Sequence, residues 1–334
     1  MKKNFEKGAE EKNSFYEKLS RIPAIGIIFA LFSSFFIASE SFIVKLLIEV
    51  NAFELMVIRA AIMLVIYSIF MIYNKTSILG VKNERLYLFI RCLFGFIASC
   101  FGLPALRFIP LGDSTAISFS SPIFIAIVAR IFLNEPFGIV EALTIVLTLI
   151  GGFLISRPSF VFDTNENINA NDRLIGSLLS FACALFSGLA FISIRKLQKT
   201  ESSVVIFWLS FFFVSVGSVI LALINGFVLP NDWQTYFLLF SFGLLETFGQ
   251  LCLTLAFKLE DAAPVSLTRS VTIVFSFIYQ VTLLHEEVLL TSIVGSSFVL
   301  LSVTITALSK WYKHKPELFK SISLCSKSKS VDLA

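Results

Sequence analysis

Ten apolar stretches, each about twenty residues long, follow one another through nearly the whole chain. In the first half they run near 24–47, 54–73, 87–107, 114–133 and 138–156. In the second they run near 174–194, 205–227, 235–257, 264–284 and 289–310. Such a length matches the ~30 Å hydrocarbon core of a bilayer at about 1.5 Å of rise per helical residue. Lipid offers backbone N–H and C=O groups no partners, so a chain of this pattern must fold into helices that satisfy their own hydrogen bonds. A β-barrel would alternate in segments of about ten residues instead. Composition agrees, with 56% hydrophobic and 15% charged residues among 334 and a mean hydropathy of +0.86, against roughly 25% charged in soluble domains. The expected fold class is an all-α polytopic membrane protein with ten transmembrane helices.

Residues 1–22 are polar and mixed in charge, and the run after them is far longer than the apolar part of a signal peptide, so no cleaved leader is expected. Cys92, Cys100, Cys183 and Cys252 fall inside spans and Cys325 in the tail. They read as small packing residues, with neither a disulfide framework nor metal spacing. Lys and Arg set the orientation. With the N-terminus in the cytoplasm, inside segments hold 19 basic residues and outside loops only Arg107, Arg157 and Arg173. That bias predicts both termini in the cytosol. The net charge of +4 reflects topology, and no nucleic-acid partner follows from it.

A constant offset of 151 residues lays the second half on the first. Lys45 then meets Lys196, Ala105 meets Ala256, Phe124 meets Phe275, and the turn LNEPF with Glu135 meets LHEEV with Glu286. Each copy holds five spans, an odd number, so the second enters the membrane inverted. The expected organisation is an N-tail 1–22, a first repeat 23–156, a connector 157–173, a second repeat 174–310 and a C-tail 311–334. Inverted repeats are a recurring plan of secondary transporters, with the substrate site between the copies near mid-membrane.

Charges within the spans are the candidate functional residues, since Arg or Lys at mid-membrane costs roughly 2.5–3.5 kcal/mol. Arg91 and Arg130 lie near the cytoplasmic ends of their spans and are read as anchors that snorkel to headgroups, Arg130 also toward Glu135. Arg59 and Arg269 sit five or six residues deep, roughly 8 Å at 1.5 Å per residue. Ser266, Arg269, Ser270, Thr272, Ser276 and Gln280 share one arc of their helix. In the partner span Ser114, Ser118 and Ser121 line a narrow face before Pro122, which cannot donate to the Ser118 carbonyl. The two arcs are expected to wall one aqueous cavity; the competing expectation is interhelical hydrogen bonding. The segment FIASESFIVKLL at 36–47 keeps Glu40 and Lys45 about 140° apart, so they do not pair with each other. Glu40 is expected to pair across the bundle or to carry a proton, and Glu246 to tune the same cavity. Lys45, Arg59, Ser118, Arg269, Ser276 and Gln280 are thus the candidate substrate-binding residues, and Glu40 and Glu246 the candidate coupling or charge partners. Gly95, Gly102, Gly151-Gly152 and Gly295 read as helix-packing positions. The 38 phenylalanines read as lipid-facing bulk, with no aromatic cage.

Several stretches resemble a known superfamily. They are Arg91 opening the third span, Gly112-Asp113-Ser114, Ser121-Pro122-Ile123-Phe124 and Glu135 after the fourth span. Together they resemble the first EamA-type repeat of the drug/metabolite transporter superfamily. IVK at 43–45, Glu54, Arg59, RPSFVF at 157–162 and GQLCLTLAFKLEDAAPV at 249–265 resemble the G subfamily of solute carrier family 35. The resemblance implies ten helices, two EamA repeats and no ATP hydrolysis, in carriers of nucleotide sugars, amino acids, nucleosides or organic anions. Glu40 and Glu246 depart from it, standing where small or apolar residues are expected, and Arg130 replaces an apolar or aromatic one.

No phosphate-binding loop of the form GxxxxGK[ST] occurs. His285 and His314 lack ligand spacing, and no nucleophile–base pair stands out, so neither enzyme activity nor a cofactor or metal is expected. The leading expectation is a non-ATP secondary transporter of a small organic metabolite, an anion such as a carboxylate, in the plasma membrane or an endomembrane. A homodimer stays open as its assembly. The rival expectation is a non-transporting scaffold that binds partners through its tails.

Overall fold

The structure is a computed structural model that describes residues 24–47, 50–108, 117, 121–135, 138–156, 170–224, 232–283 and 290–314. Every regular element among them is helical. The helices are α1 (Ile25–Leu46), α2 (Ala52–Tyr73), α3 (Arg85–Phe108), α4 (Ser121–Leu133), α5 (Ile139–Ser156) and α6 (Ala170–Lys196). They continue as α7 (Ser202–Ile224), α8 (Trp233–Leu259), α9 (Ala262–Arg269), α10 (Val271–Thr282) and α11 (Leu290–His314), with a short 3-10 turn Lys82–Glu84 before α3.

Their bounds follow the ten apolar runs closely. Eight segments are long and apolar enough to cross a membrane, counting Ala262–Tyr279 as one across the interruption at Ser270. Ser121–Leu133 and Ile139–Ile155 are shorter apolar helices. Local chemistry marks several starts. The Asn51 side chain accepts from Phe53 N at 3.0 Å, and Glu54 lies in the first turn of α2, where the helix dipole favours a negative charge. Pro264 occupies the first turn of α9, where its missing N–H would have no partner in the helix.

The helices pack in reciprocal pairs: α2 on α7, α5 on α11, α3 on α6 and α1 on α8. Close approach at the α5–α11 pair depends on glycine. A Cβ at Gly151 would stand 2.6 Å from the Gly295 carbonyl oxygen, and one at Gly295 would meet Gly151 O at the same distance. Ser302 and Thr148 hydroxyls, 2.7 Å apart, tie the same pair together. One core cluster joins α1, α4, α6, α8 and α9 through Ile125, Ile194, Leu253, Phe257 and Val265. A second joins α2, α3 and α7 through Met56, Phe96, Ile206 and Phe213. The outer surface is apolar, with Ile69, Phe89, Leu223 and Phe237 exposed, as suits a protein solvated by lipid. The phenylalanines therefore divide: some face outward, and Phe191, Phe213 and Phe242 face an internal cavity.

Candidate functional site

A cavity of about 340 Å³ lies between α1, α2, α3, α6, α7 and α8. It runs from Val44 and Leu55, beside the α1–α2 turn, down to Phe191 and Gln250. Neither α4, α9 nor α10 contributes a lining residue among those described, so the described part of the arc on α9 and α10 does not wall this cavity; Ser114 and Ser118 of the other arc lie outside the described residues. The reason is local. Of the arc on α9 and α10, Ser266 spends its hydroxyl on its own helix, bonding Ala263 O at 2.8 Å, and is buried in packing.

The lining carries two arginines and two glutamates, linked in one polar chain. Arg59 Nη1 donates to Glu40 Oε1 at 2.6 Å and lies 3.6 Å from Glu246 Oε1. Gln250, one turn along α8 from Glu246, donates to it at 3.0 Å, and Arg91 Nη2 donates to Gln250 Oε1 at 3.4 Å. Glu40 therefore pairs across the bundle, as its position 140° from Lys45 implied. Among the described lining residues formal charges balance, so the expected positive excess does not appear among them; the Lys45 side chain lies outside them.

Arg91 corrects the anchoring expectation. It is 4% exposed and lines the cavity instead of reaching headgroups. Helical side chains lean toward the helix N-terminus, which for α3 is the end that a snorkelling arginine would reach. Arg91 turns the other way, placing Nη1 2.5 Å from where a Cβ on Gly95 would sit. Gly95 and Gly102 both line the cavity, Gly95 making room for the guanidinium and Gly102 fitting against Cys183 Sγ. Arg91 Nε is buried without a hydrogen-bond partner, and no carboxylate lies within ion-pair distance of Arg91 among the described residues. Arg59 lies 6.0 Å from the Phe242 ring centroid and Arg91 5.9 Å from that of Phe191.

Arg269 stands outside the cavity lining, at the end of α9 where the helix is interrupted. Its guanidinium carbon is 4.5 Å from the Phe191 centroid, on a ring that also stacks on Phe257 at 5.2 Å. Ser276 lies on α10, also outside the lining. Ser118 falls outside the described residues, as do the side chains of Lys45 and Gln280. Arg130 is exposed and donates to Glu135 O at 3.3 Å, in keeping with its expected place near the turn.

Beyond Phe191, away from the cavity, polar networks tie the helix ends together. Arg195, one turn further along α6, donates to Glu135 Oε1 at 2.9 Å, Asp261 Oδ1 at 3.0 Å and Lys258 O at 3.1 Å. Glu135 Oε2 accepts from Ala262 N at 2.9 Å, opening α9. Burial pushes the Glu135 carboxyl above its ordinary value, and the bonds from Arg195 and Ala262 offset this only in part. Alongside, Glu84 accepts from Lys199 N, Thr200 N and Thr200 Oγ1 at 3.1, 2.8 and 2.7 Å, and Lys258 Nζ donates to Thr200 O. Gly80, at φ 59°, lets the preceding turn lie against Thr200.

Sequence reading missed Arg91, Gln250 and Phe191 as site residues and Arg195 as a network centre. The i, i+4 spacings Glu246–Gln250 and Arg91–Gly95 were visible signals, because each places two residues on one helix face. Nothing in the sequence marks Phe191 among its many like neighbours.

With this geometry in hand, the chain can be set beside known proteins. Residues 24–157 and 174–308 match the EamA-like transporter family. Solute carrier family 35 member G1 of Homo sapiens is 29% identical over 304 residues, covering 89% of this chain and 82% of the human one. A pseudopaline exporter of Pseudomonas aeruginosa is 24% identical over 254 residues, covering 75% of this chain and 84% of the exporter. A crystal structure with 13% sequence identity shares the fold, with a TM-score of 0.74 over 86% of this chain and 98% of the other.

Proposed function

The chain belongs to the EamA-like transporter family, and on that premise we propose that it carries a small organic carboxylate across the membrane by alternating access. Ten spans in two inverted repeats, 23–156 and 174–310, do the moving, with both termini cytoplasmic. The helix pairing supports this. Numbering the spans so that α9 and α10 form the ninth, a two-fold exchange of first-half for second-half spans returns α2–α7 and α5–α11 to themselves. It also converts α3–α6 into α8–α1, and both pairs are present. The six cavity-lining helices are three such related pairs. With the termini cytoplasmic, as the basic-residue bias supports, the Arg195 and Glu84 networks lie at the inner end and tie it shut, and the cavity serves the outer side.

Arg91 carries the substrate assignment. It is a buried guanidinium in a membrane cavity, without a carboxylate of its own, and its planar donors match a carboxylate. Arg59, by contrast, is already shared by Glu40 and Glu246. A charge this costly inside a membrane points to a functional use.

A specific observation favours a second reading. Two carboxylates divide one Arg59, so acid is in local excess around Arg59 although the formal charges of the described lining balance. A substrate bearing both a carboxylate and an ammonium group would put one end at Arg91 and the other at Glu246. The test is a thermal-stability screen of purified protein against carboxylates, amino acids and neutral sugars, since a ligand that binds only the folded form raises its stability. Stabilisation by carboxylates in wild type, lost in Arg91→Met, supports the first reading. Stabilisation by amino acids alone, lost in Glu246→Gln, supports the second. Response to neutral sugars only, unchanged in both variants, would remove Arg91 from the site.

A further inference from the structure

Among the described residues Arg269 is a charge that the cavity does not account for. It lies in the membrane-spanning part of α9, where a guanidinium is costly. Its Nε is buried without a hydrogen-bond partner, and among the described residues no carboxylate pairs with it. What it does meet is the face of Phe191, 4.5 Å away. The other side of that neighbourhood is the cavity, where Arg91 approaches the same ring at 5.9 Å. One phenyl ring thus stands between two arginines that have no carboxylate of their own.

That ring stacks on Phe257 at 5.2 Å but also borders the cavity. Phe191 lines a cavity of about 340 Å³, so it has open space on one side to turn into. On its far side Arg269 sits at the break between α9 and α10, where Ser34 Oγ donates to the Arg269 carbonyl at 3.3 Å. Interrupted helices of this kind border substrate sites in transporters, because the freed backbone groups need a polar neighbour. Phe191 also sits one helical turn above Arg195, the centre of the ionic network that closes this end. Opening that network would move the α6 face that carries the ring.

Resting on the carrier reading above, we propose that Arg269 is the anion-binding residue of the opposite access state. Phe191 is the partition that hides it from the present one. The outward cavity offers Arg91 against a formally balanced lining. When the inner end opens and Phe191 swings away, Arg269 joins the cavity and makes it net positive toward the cytoplasm. The substrate passes from one arginine to the other across the ring.

Thiol accessibility tests the partition without any knowledge of the substrate. Full-length Arg269→Cys, in a background with the native cysteines replaced by alanine, is treated in right-side-out and inside-out vesicles. The probes are the anionic reagent 2-sulfonatoethyl methanethiosulfonate and its cationic trimethylammonium analogue. Modification is expected from the cytoplasmic side only, with the anionic reagent about ten-fold faster, because flanking cations concentrate anions. Adding Phe191→Ala is expected to make the same cysteine reactive from the outer side. Ser266→Cys, one turn inward on the same helix face, repeats the measurement with a nearly isosteric change should Arg269→Cys fail to fold. Outer-side reactivity with Phe191 intact, or none from either side at both positions, overturns the proposal. Absence of carboxylate flux in wild type would instead strike the carrier reading, leaving the labelling result to judge the partition alone.

Discussion

Replacing Arg91 with methionine should move stability and transport in opposite directions. Met keeps an unbranched apolar stem, while the guanidinium that fills the space over Gly95 is lost. Leaving a buried donor such as Arg91 Nε unsatisfied costs about 1–3 kcal/mol, which the substitution recovers. Against that stand a long 3.4 Å bond to Gln250, at the low end of the ~0.5–1.5 kcal/mol range, and a distant ring contact of about 0.5 kcal/mol. The net is a protein between unchanged and about 2 kcal/mol more stable. Transport should suffer, because charge-assisted bonds to a carboxylate contribute about 1.5–3 kcal/mol, or roughly 10- to 150-fold in KM. The assays are thermal unfolding in nanodiscs and carboxylate uptake into proteoliposomes. A variant that unfolds well below wild type while its KM is unchanged would show Arg91 to be a structural cation, and the site would have to be sought elsewhere.

Glu40→Gln should release Arg59 from its 2.6 Å partner, tightening carboxylate binding in a thermal-shift titration while costing about 1–3 kcal/mol of stability. Weaker carboxylate binding would count against it. If neither Glu40→Gln nor Glu246→Gln alters uptake rate or its pH dependence, both carboxylates are structural. Gly151→Ala should force the α5 and α11 backbones apart at the 2.6 Å approach, costing about 1–3 kcal/mol in thermal stability and leaving the KM of the folded fraction alone. For Glu135 the sign follows from its upward shift in the closed arrangement. Closure is favoured below the ordinary value of 4.5, and that contribution is lost as pH rises through the raised value. Labelling of a cysteine at Ser193 from the cytoplasmic side should therefore increase with pH across that window in wild type and stay flat in Glu135→Gln.

Hydrophobicity alone fixed where the helices run, because a lipid-solvated backbone has no other way to satisfy itself and the apolar length follows from bilayer thickness. It also put Glu40 out of reach of Lys45, since helical geometry sets which residues share a face. What hydrophobicity could not tell was which way a long side chain turns. Arg91 looked like a headgroup anchor by depth, and became a cavity residue because the space above Gly95 and the Gln250 amide lie toward the middle of the bundle. Arg269 looked like a wall of the cavity by its polar arc, and ended behind Phe191, a residue of α6 distant from it in sequence. Pairings such as Arg59 with Glu246, or Arg195 with Glu135 and Asp261, bring together helices far apart along the chain. Only the tertiary arrangement decides them, since residue spacing within a helix carries no information about the neighbour it will meet.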